Sequence, residues 1–573
     1  MTNKLSRSPY ATTVIALFIA STITAVLNYR ARDLWEPEEL RYGEVTREMV
    51  STGEYFLLQL NGMKYGEKPA LYFWSIALCA KLMGGMHEFA VRFPTALSGF
   101  GCCVLVMLMA GRLWGKAAGV LSAVVLFTTP HFLMTASEAR MDVMLTFFIM
   151  LSLYWFYQAY HDRERERARL LGAWVLFALG TLTKGPIGLL LPLLTIVGYL
   201  AWRRDLKYLW QRKWDLLLGF VLFAALVCLW LVPACIKGGP EFAWYLLFKQ
   251  NVGRYAKAWD HEGHSYFKYF VVFPLVFMPW TLLLPAFAVR AIRRARTGPS
   301  AHVLLPVMWW LVIFVFFTFS SGKRTVYMVP LEPAAAMMVG WLLSEFWRDP
   351  SAFEPRWLIS APMVICFGLL LIAGVAGVPV APRVIRDEYV TASQIALLVA
   401  PVCAALGVCA LVGIGLWAAK RLRASVAMLA VTIVVLGWTG LVTAVPSVNK
   451  QKSARVVMGA IEPLLKDKGE LALFGTLRGG YAFYWHQDIP AFKKEDVAGV
   501  TAFLTKPEPA SVLAKERFFE LLKNAVGANV QVIWRGRMGG RELMLMSNHA
   551  SANDAPLPEP PKPKPKKRKK HKK

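Results

Sequence analysis

The feature that most constrains this chain is a series of long apolar runs separated by short polar segments. A helix that crosses a bilayer needs about 20 mostly apolar residues, and many runs here approach or exceed that length. Only 18% of the residues are charged, against about 25% in soluble domains. These observations exclude a soluble enzyme and predict an all-α polytopic membrane protein.

The apolar runs predict thirteen transmembrane helices. They lie at residues 10–29, 88–111, 116–134, 141–160, 170–183, 186–202, 214–236, 268–292, 302–320, 326–347, 357–378, 394–418 and 423–446. The first run has no clear cleavage site for a signal peptidase, so we expect it to remain as a helix.

Basic residues predict the orientation, because cytoplasmic loops carry an excess of Lys and Arg. Clusters of these residues occur in alternate loops, at 163–169, 203–213, 290–296 and 420–423. With the N-terminus inside the cell, the protein is expected to lie in the bacterial inner membrane. The long loop 30–87 and everything after residue 446 would then face the periplasm.

Composition divides the chain into three parts. Residues 1–450 form the predicted transmembrane domain, and residues 451–550 have the composition of a soluble domain. Helix-like patterns at 454–465 and 517–525, with strand-like patterns at 470–474, 530–534 and 543–546, predict a small α/β fold there. Residues 551–573 are rich in Pro and Lys and predict a disordered tail. We expect this tail to be solvated, with anionic lipid headgroups as an alternative partner and no nucleic acid.

The loop 30–87 carries the first candidate site. Pro37 and the acidic residues Glu38 and Glu39 suit the start of a helix, and Gly53 suits its end. Helical spacing puts Glu38, Arg41 and Tyr42 on one face, where a carboxylate could act as a general base. The alternative is that the two glutamates only stabilise the helix N-terminus.

A second segment of the same loop contains Glu67 and Lys68. Lys68 could pair with a phosphate, and Glu67 could bind a cation. The alternative is a solvated Glu-Lys pair ahead of a helix that starts at Pro69.

The other predicted outer loops contain more cations than the positive-inside rule leads one to expect. The outer cations are Arg41, Lys68, Lys184, Arg254, Lys323 and Arg324. Each one alone could neutralise a lipid headgroup. Together with Asp142, Tyr327 and the histidines His261 and His264, they fit an anionic, phosphate-bearing substrate. A His near a Glu also suits a divalent metal ion.

At this point the sequence resembles the superfamily of lipid A aminoarabinose transferases and protein O-mannosyltransferases, which have the GT-C fold. The motif Glu38-Glu39-Leu40-Arg41-Tyr42 and the motif Asn61-Gly62 followed by Tyr65-Gly66-Glu67-Lys68-Pro69 carry the resemblance. Further matches are Ala139-Arg140-Met141-Asp142, Leu182-Thr183-Lys184-Gly185-Pro186, Asn251-Val252-Gly253-Arg254 and the 323–330 segment. They occur in order over roughly residues 8–450.

The resemblance implies roles for these residues. The acidic pair lies at the active site; here its first member is Glu38 in place of the usual aspartate, so Glu38 and Glu39 both stay candidates. Glu67 with His264, or alternatively His261, is similar to the metal site of the family and implies one divalent ion, Zn, Mg or Mn. The resemblance also implies that Lys68 and Arg254 contact the phosphate of the donor. It places Asp142, a further candidate catalytic carboxylate, in the lining of the site with the residues assigned to donor binding, namely Arg41, Tyr42, Lys184, Lys323, Arg324 and Tyr327.

The implied activity is an inverting glycosyl transfer from an undecaprenyl-phosphate-linked sugar to lipid A. Such a donor needs no nucleotide cofactor, and the chain has neither a GxGxxG motif nor a P-loop. One alternative keeps the chemistry but uses a protein or glycan acceptor. A different class of function is a lipid-linked sugar flippase, whose paired broken helices are not evident, since one Gly-Pro break at 185–186 has no counterpart.

Overall fold

The computed structural model describes residues 9–35, 37–253, 266–297, 303–348, 357–384, 392–465, 469–475, 480–527, 530–539 and 541–549. The chain forms two compact units, Met1–Asn449 and Lys450–Lys573. The first unit is helical apart from one short hairpin, and the second contains a mixed sheet.

The helices of the first unit follow the apolar runs. Their bounds are α1 Pro9–Ala31, α2 Glu38–Thr52, α3 Leu71–Leu82, α4 Glu88–Trp114, α5 Lys116–Phe127, α6 Pro130–Ala136, α7 Met141–His161, α8 Glu166–Lys184, α9 Ile187–Trp202, α10 Lys207–Gln211, α11 Lys213–Gly238, α12 Pro240–Trp244, α13 Lys268–Val276, α14 Leu284–Thr297, α15 Leu304–Phe319, α16 Glu332–Arg348, α17 Trp357–Val384, α18 Ala392–Ala418 and α19 Leu422–Lys452. A π-helical segment, Tyr245–Gly253, follows α12, and short 3-10 segments, Arg163–Arg165, Trp280–Leu283 and Thr325–Leu331, precede α8, α14 and α16.

These helices make the chain a multi-pass membrane protein. By length and apolar composition, eight helices in the described part of the chain could cross a membrane, or ten if two bent pairs each count as one span. The bent pairs are α5 with α6, at 70°, and α13 with the helical stretch Trp280–Arg294, at 103°. Each of the thirteen predicted runs overlaps a helix or a bent pair, but several helices are shorter or more polar than a single span requires. The count of thirteen therefore stays a prediction.

The break predicted between the fifth and sixth spans is present. Helix α8 ends at Lys184, Gly185 has φ of 100°, and Pro186 precedes α9. A positive φ is accessible to glycine because it has no Cβ atom. The turn leaves the Lys184 side chain at the end of α8, where the C-terminal dipole of the helix favours a cation.

The first outer loop folds as a compact layer. Helix α2 ends at Gly53, whose φ of 72° is left-handed, as its sequence predicts. The motif Asn61-Gly62 turns a hairpin between β1 (Gln59–Leu60) and β2 (Met63–Lys64), with φ of 52° and 70°, which suits a type I′ turn. The buried carboxylate of Glu48 accepts hydrogen bonds from the backbone amides of Asn61 and Gly62. The hairpin is thus fixed to α2.

The same loop is attached to the outer end of α11. Lys237 forms an ion pair with Glu54 at 2.5 Å, and Lys64 donates to the carbonyl of Gly238 at 2.9 Å. The indole of Trp230 donates to the carbonyl of Phe56 at 3.1 Å. These contacts hold the layer against the helix bundle rather than leaving it as a free loop.

The second unit contains a five-stranded mixed sheet in the order β4-β3-β5-β7-β6. Its elements are α20 Ala454–Leu465, β3 Glu470–Phe474, α21 Gly480–Trp485, β4 Ala491–Phe492, α22 Val497–Leu504, β5 Ala510–Lys515, α23 Phe519–Val526, β6 Gln531–Met538 and β7 Arg541–Ser547. Strand β3 is parallel to β4 and β5, and β7 is antiparallel to β5 and β6. The bounds predicted for α20 and β3 are confirmed. The predicted tail, residues 551–573, lies outside the described residues.

A buried carboxylate joins the elements that surround the outer layer. Glu39, 3% exposed, is paired with Arg32 and with Arg92, whose Nε lies 2.9 Å from Oε1. It also accepts hydrogen bonds from the backbone amides of Trp35 and Ala139, at 3.0 and 2.9 Å. Glu39 therefore connects the end of α1, the start of α2, the start of α4 and the segment ahead of α7.

The two arginines also determine the charge state of Glu39. Burial by itself raises the pKa of this carboxyl, but the charges of Arg92 and Arg32 outweigh burial and hold the pKa well below its ordinary value of 4.5. A carboxylate with a depressed pKa stabilises the fold above its ordinary pKa, and this contribution is lost as the pH falls below it.

We therefore expect Glu39→Gln to lower the free energy of unfolding by about 3–5 kcal/mol near pH 7, because it leaves two buried arginines without their counter-charge. The difference from wild type should shrink as the pH is lowered from 5.5 towards 3. Thermal unfolding of the purified protein across this pH range measures both effects. Glu54→Gln, in the more exposed pair with Lys237, is the control and should change little. Equal melting temperatures for Glu39→Gln and wild type at pH 7 would contradict the prediction.

Candidate active site

The first turn of α2 presents Glu38 to two arginines. Glu38, 6% exposed, contacts the guanidinium of Arg324 through Oε1, and Nη2 of Arg140 lies 3.7 Å from Oε2. Arg140 is also held by Glu138 at 2.5 Å. The three elements that meet here are far apart in sequence, so the contact depends on the tertiary fold.

A second ion pair lies within electrostatic range of Glu38. Asp142, at the start of α7, contacts Lys184 at the end of α8, and both side chains are about 10% exposed. Arg140 and Arg324 also act on Asp142 through their charges. The ammonium of Lys184 lies 5.0 Å from the ring centre of Tyr327, at a distance typical of cation–π contacts. The segment that follows Arg324 therefore contacts the Asp142–Lys184 pair.

The third ion pair is more open to solvent. Arg41 and Glu67 are joined at 2.8 Å, with side chains 25% and 21% exposed. Next to Arg41, the ring of Tyr42 is buried in edge contacts with Tyr72 and Phe73, each at 5.7 Å. Burial and the charge of Glu38 raise the pKa of Tyr42, which favours the protonated hydroxyl.

Cations and carboxylates balance in this region, which we call the outer charge cluster. It consists of Arg41, Arg140, Lys184 and Arg324 with Glu38, Glu67, Glu138 and Asp142. Each cation has a carboxylate within 4 Å. Pairing of this kind allows ionised groups to remain in a poorly solvated site, and a ligand phosphate could take the place of a carboxylate partner.

The structure separates the two glutamates that the sequence left as alternatives. Both acceptor oxygens of Glu39 are engaged by arginines and backbone amides, as described above. Glu38 faces the outer charge cluster, where Asp142, Arg324 and Lys184 also lie. The contacts of Glu39 thus join parts of the fold, whereas Glu38 lies among the other candidate site residues.

Lys323 lies just after α15 and directly before Arg324. Its ammonium, in a residue that is 2% exposed, donates to the carbonyls of Thr318 and Ser320 at 2.6 and 2.8 Å and so caps the end of α15. Burial and the charge of Lys268 lower its pKa. The described contacts of this ammonium are thus with the end of α15, and its role in donor binding stays a prediction.

Three expected residues could not be placed. Arg254, His261 and His264 lie outside the described residues. Lys68 is half-buried directly after Glu67 and just ahead of α3. The described part of the chain contains no group of three or more His, Cys, Asp or Glu side chains that could hold a metal ion, and Glu67 is paired with Arg41. The expected metal site of Glu67 with His264 or His261 therefore stays a prediction, because both histidines lie outside the described residues.

Two features of this region were not predicted from the sequence. Arg140 belongs to the motif Ala139-Arg140-Met141-Asp142 but was not among the candidate residues, although an arginine just before a predicted span on the outer side is the signal that identified the other cations. The second feature is a buried pair of His131 and Glu332, joined at 2.5 Å. In the sequence, each of these residues is surrounded by mostly apolar neighbours. No local pattern therefore predicts that the two form a pair.

Comparison with known proteins gives three similarities. Residues 10–243 match the family model for dolichyl-phosphate-mannose-protein mannosyltransferases. An undecaprenyl phosphate-alpha-4-amino-4-deoxy-L-arabinose arabinosyl transferase of Pseudomonas fluorescens is 32% identical over 57% of this chain and 58% of its own length. A protein of the same name from an Enterobacter species is 27% identical over 70% of each chain. The match thus spans little more than half of the Pseudomonas relative.

The fold is also that of a solved structure. The crystal structure of ArnT from Cupriavidus metallidurans bound to undecaprenyl phosphate superposes with a TM-score of 0.78, covering 94% of this chain and 98% of that one, at 23% identity. Its apo structure gives a TM-score of 0.74 over the same shares. The likeness to these two structures shows that the chain has their fold.

Proposed function

We propose that this protein transfers a sugar from an undecaprenyl-phosphate-linked donor to a phosphate of lipid A, with inversion at the sugar carbon. The observation that carries the proposal is Glu38 held beside Arg140 and Arg324, next to the Asp142–Lys184 pair. The names of the relatives supply the donor and sugar class. Because the match covers only 58% of the first relative, its activity comes to this chain as a proposal.

The cations of the outer charge cluster suit the phosphate of the donor. Arginine presents a planar fork of N–H groups that matches phosphate oxygens, and Arg140 and Arg324 are both two-thirds or more buried from solvent. Lys184 adds a third positive charge close by. In this poorly solvated site, fixed cations stabilise the negative charge that grows on the departing lipid phosphate.

The reaction balances without a strong base. An ionised oxygen of the acceptor phosphate attacks the anomeric carbon and forms the new C–O bond. The bond from that carbon to the donor phosphate breaks, and its electron pair leaves with undecaprenyl phosphate. We assign to Glu38 the stabilisation of positive charge at the sugar carbon, with Asp142 and Lys68 lining the site. No step of this reaction is routed through a metal ion.

The proposed location follows from charge. The basic clusters at 163–169, 203–213, 290–296 and 420–423 favour the cytoplasmic side, whereas the outer charge cluster lies at the opposite ends of α7 and α8. We therefore propose an inner-membrane protein with thirteen spans, whose active site and α/β unit face the periplasm.

A protein acceptor is the second candidate. It is favoured by one observation, the match of residues 10–243 to a protein mannosyltransferase family model. The two candidates share the donor chemistry and differ in whether the attacking atom is a phosphate oxygen or a Ser or Thr hydroxyl. A hydroxyl needs to lose its proton, and Glu38 would then act as the base.

Expression in a host that makes the undecaprenyl-phosphate aminosugar but lacks its own transferase tests the acceptor. We expect mass spectrometry to detect lipid A phosphates that carry the added sugar only when this protein is present. Glycosylated envelope peptides in place of modified lipid A would support the second candidate. A labelled donor that crosses the membrane of reconstituted vesicles without a change in mass would indicate a flippase and overturn both.

Within the site, Glu38→Gln and Lys68→Ala are expected to reduce transfer at least about a hundredfold, as loss of a single electrostatic contact in an active site does. The assay is sugar transfer by purified protein in liposomes. Melting temperature and expression report whether the variants fold. Glu54→Gln lies in the same outer layer but in the Lys237 pair, and should keep its activity. Full activity of both site variants would exclude this site.

A further inference from the structure

His131 and Glu332 form a buried pair beside the outer charge cluster. Nδ1 of His131 lies 2.5 Å from Oε1 of Glu332, and the side chains are 9% and 0% exposed. The charges of Arg140 and Asp142 both act on His131. The pair is therefore close enough to the site to influence it, although it contacts none of the proposed reacting atoms.

The pair connects the two parts of the chain that meet at Glu38. His131 lies in the first turn of α6, which leads into the segment that carries Arg140 and Asp142. Glu332 begins α16, directly after the 3-10 segment Thr325–Leu331, and Arg324 precedes that segment. A contact between the start of α6 and the start of α16 thus fixes one side of the site relative to the other.

A contribution to the stability of the fold does not by itself explain why these two polar residues are buried together. Among the described residues, Oε2 of Glu332 is buried and has no hydrogen-bond partner, which is unfavourable for a carboxylate. A buried pair of this kind can often be exchanged for apolar side chains of similar volume with no loss of stability, or with a gain. Leu331 and Ala334, which are close to Glu332 in sequence, are apolar and fully buried.

We propose that His131 and Glu332 are positioning residues, which hold Arg324 and Tyr327 in register with Glu38 and Lys184. The 3-10 segment between Arg324 and Glu332 is only seven residues long, so a shift of Glu332 is transmitted to both ends of it. Arg324 contacts Glu38 through its guanidinium, and Tyr327 lies under the ammonium of Lys184. Misplacement of site groups by about 1 Å can reduce the rate a hundredfold.

The test uses two variants of the full-length protein in liposomes. In the double variant His131→Phe with Glu332→Met, apolar side chains of similar size replace the pair. We expect its transfer rate to fall at least about tenfold, with a melting temperature equal to or above that of wild type. In His131→Asn, the amide keeps an N–H donor near the position of Nδ1, and we expect most of the rate to return.

Glu166→Met is the matched control. Glu166 is also buried, and it is paired with Arg212 and Tyr208. It starts the helix that Lys184 ends, about 27 Å away along the axis. This variant should keep the wild-type rate. A double variant that folds with a wild-type melting temperature and a wild-type rate would overturn the proposal.

The inference rests on the proposed transferase activity, so a second measurement is independent of it. Hydrogen exchange of the backbone amides of Thr325–Leu331 should be faster in the double variant and unchanged in His131→Asn. If wild-type protein transfers no sugar, the proposed function fails, while hydrogen exchange still tests the positioning. Unchanged exchange in the double variant would overturn the positioning even if the activity is confirmed.

Discussion

The structure of the outer layer depends on one interaction, the buried carboxylate of Glu39 between Arg32 and Arg92. Four parts of the chain meet at this point, and each contributes a charge or a backbone group to it. A pair of arginines without Glu39 would be two buried charges with no compensation, which is among the most unfavourable arrangements in a protein interior. The neighbouring Glu38 can face a ligand because Glu39 fixes the helix on which both residues lie.

The outer charge cluster holds four cations in a region where the positive-inside rule predicts few of them. Each of its arginines and its lysine has a carboxylate partner, so the cluster adds little net charge and does not oppose the topology predicted from the basic loops. The chain has 65 basic and 37 acidic residues, a net charge of +28. This excess of positive charge therefore belongs mainly to other parts of the chain. Pairing also keeps the cations oriented before a ligand arrives.

The sequence predicted the helices well, because an apolar run of bilayer length has few alternatives to a helix. It also identified Glu38, Asp142, Lys184 and Arg324, which the fold brings together. What it could not predict are choices made by tertiary contacts. No local sequence pattern distinguishes Glu38 from Glu39. Nor does any pattern predict that the ammonium of Lys323 caps the end of the preceding helix, α15. In the second unit, β5 was missed because its buried run Ala510–Lys515 lacks the alternation that marks a half-buried strand.

Helix ends explain why the paired carboxylates could release their cations to the proposed donor phosphate. Glu38 lies in the first turn of α2 and Asp142 in the first turn of α7, where the positive end of the helix dipole stabilises a carboxylate even without its partner. Lys184 lies in the last turn of α8, which likewise favours a cation. When a phosphate replaces Asp142 beside Lys184, or Glu38 beside Arg324, the displaced carboxylate keeps part of its stabilisation. The exchange of partners therefore costs less than breaking isolated buried ion pairs, and it leaves Glu38 charged next to the bound sugar.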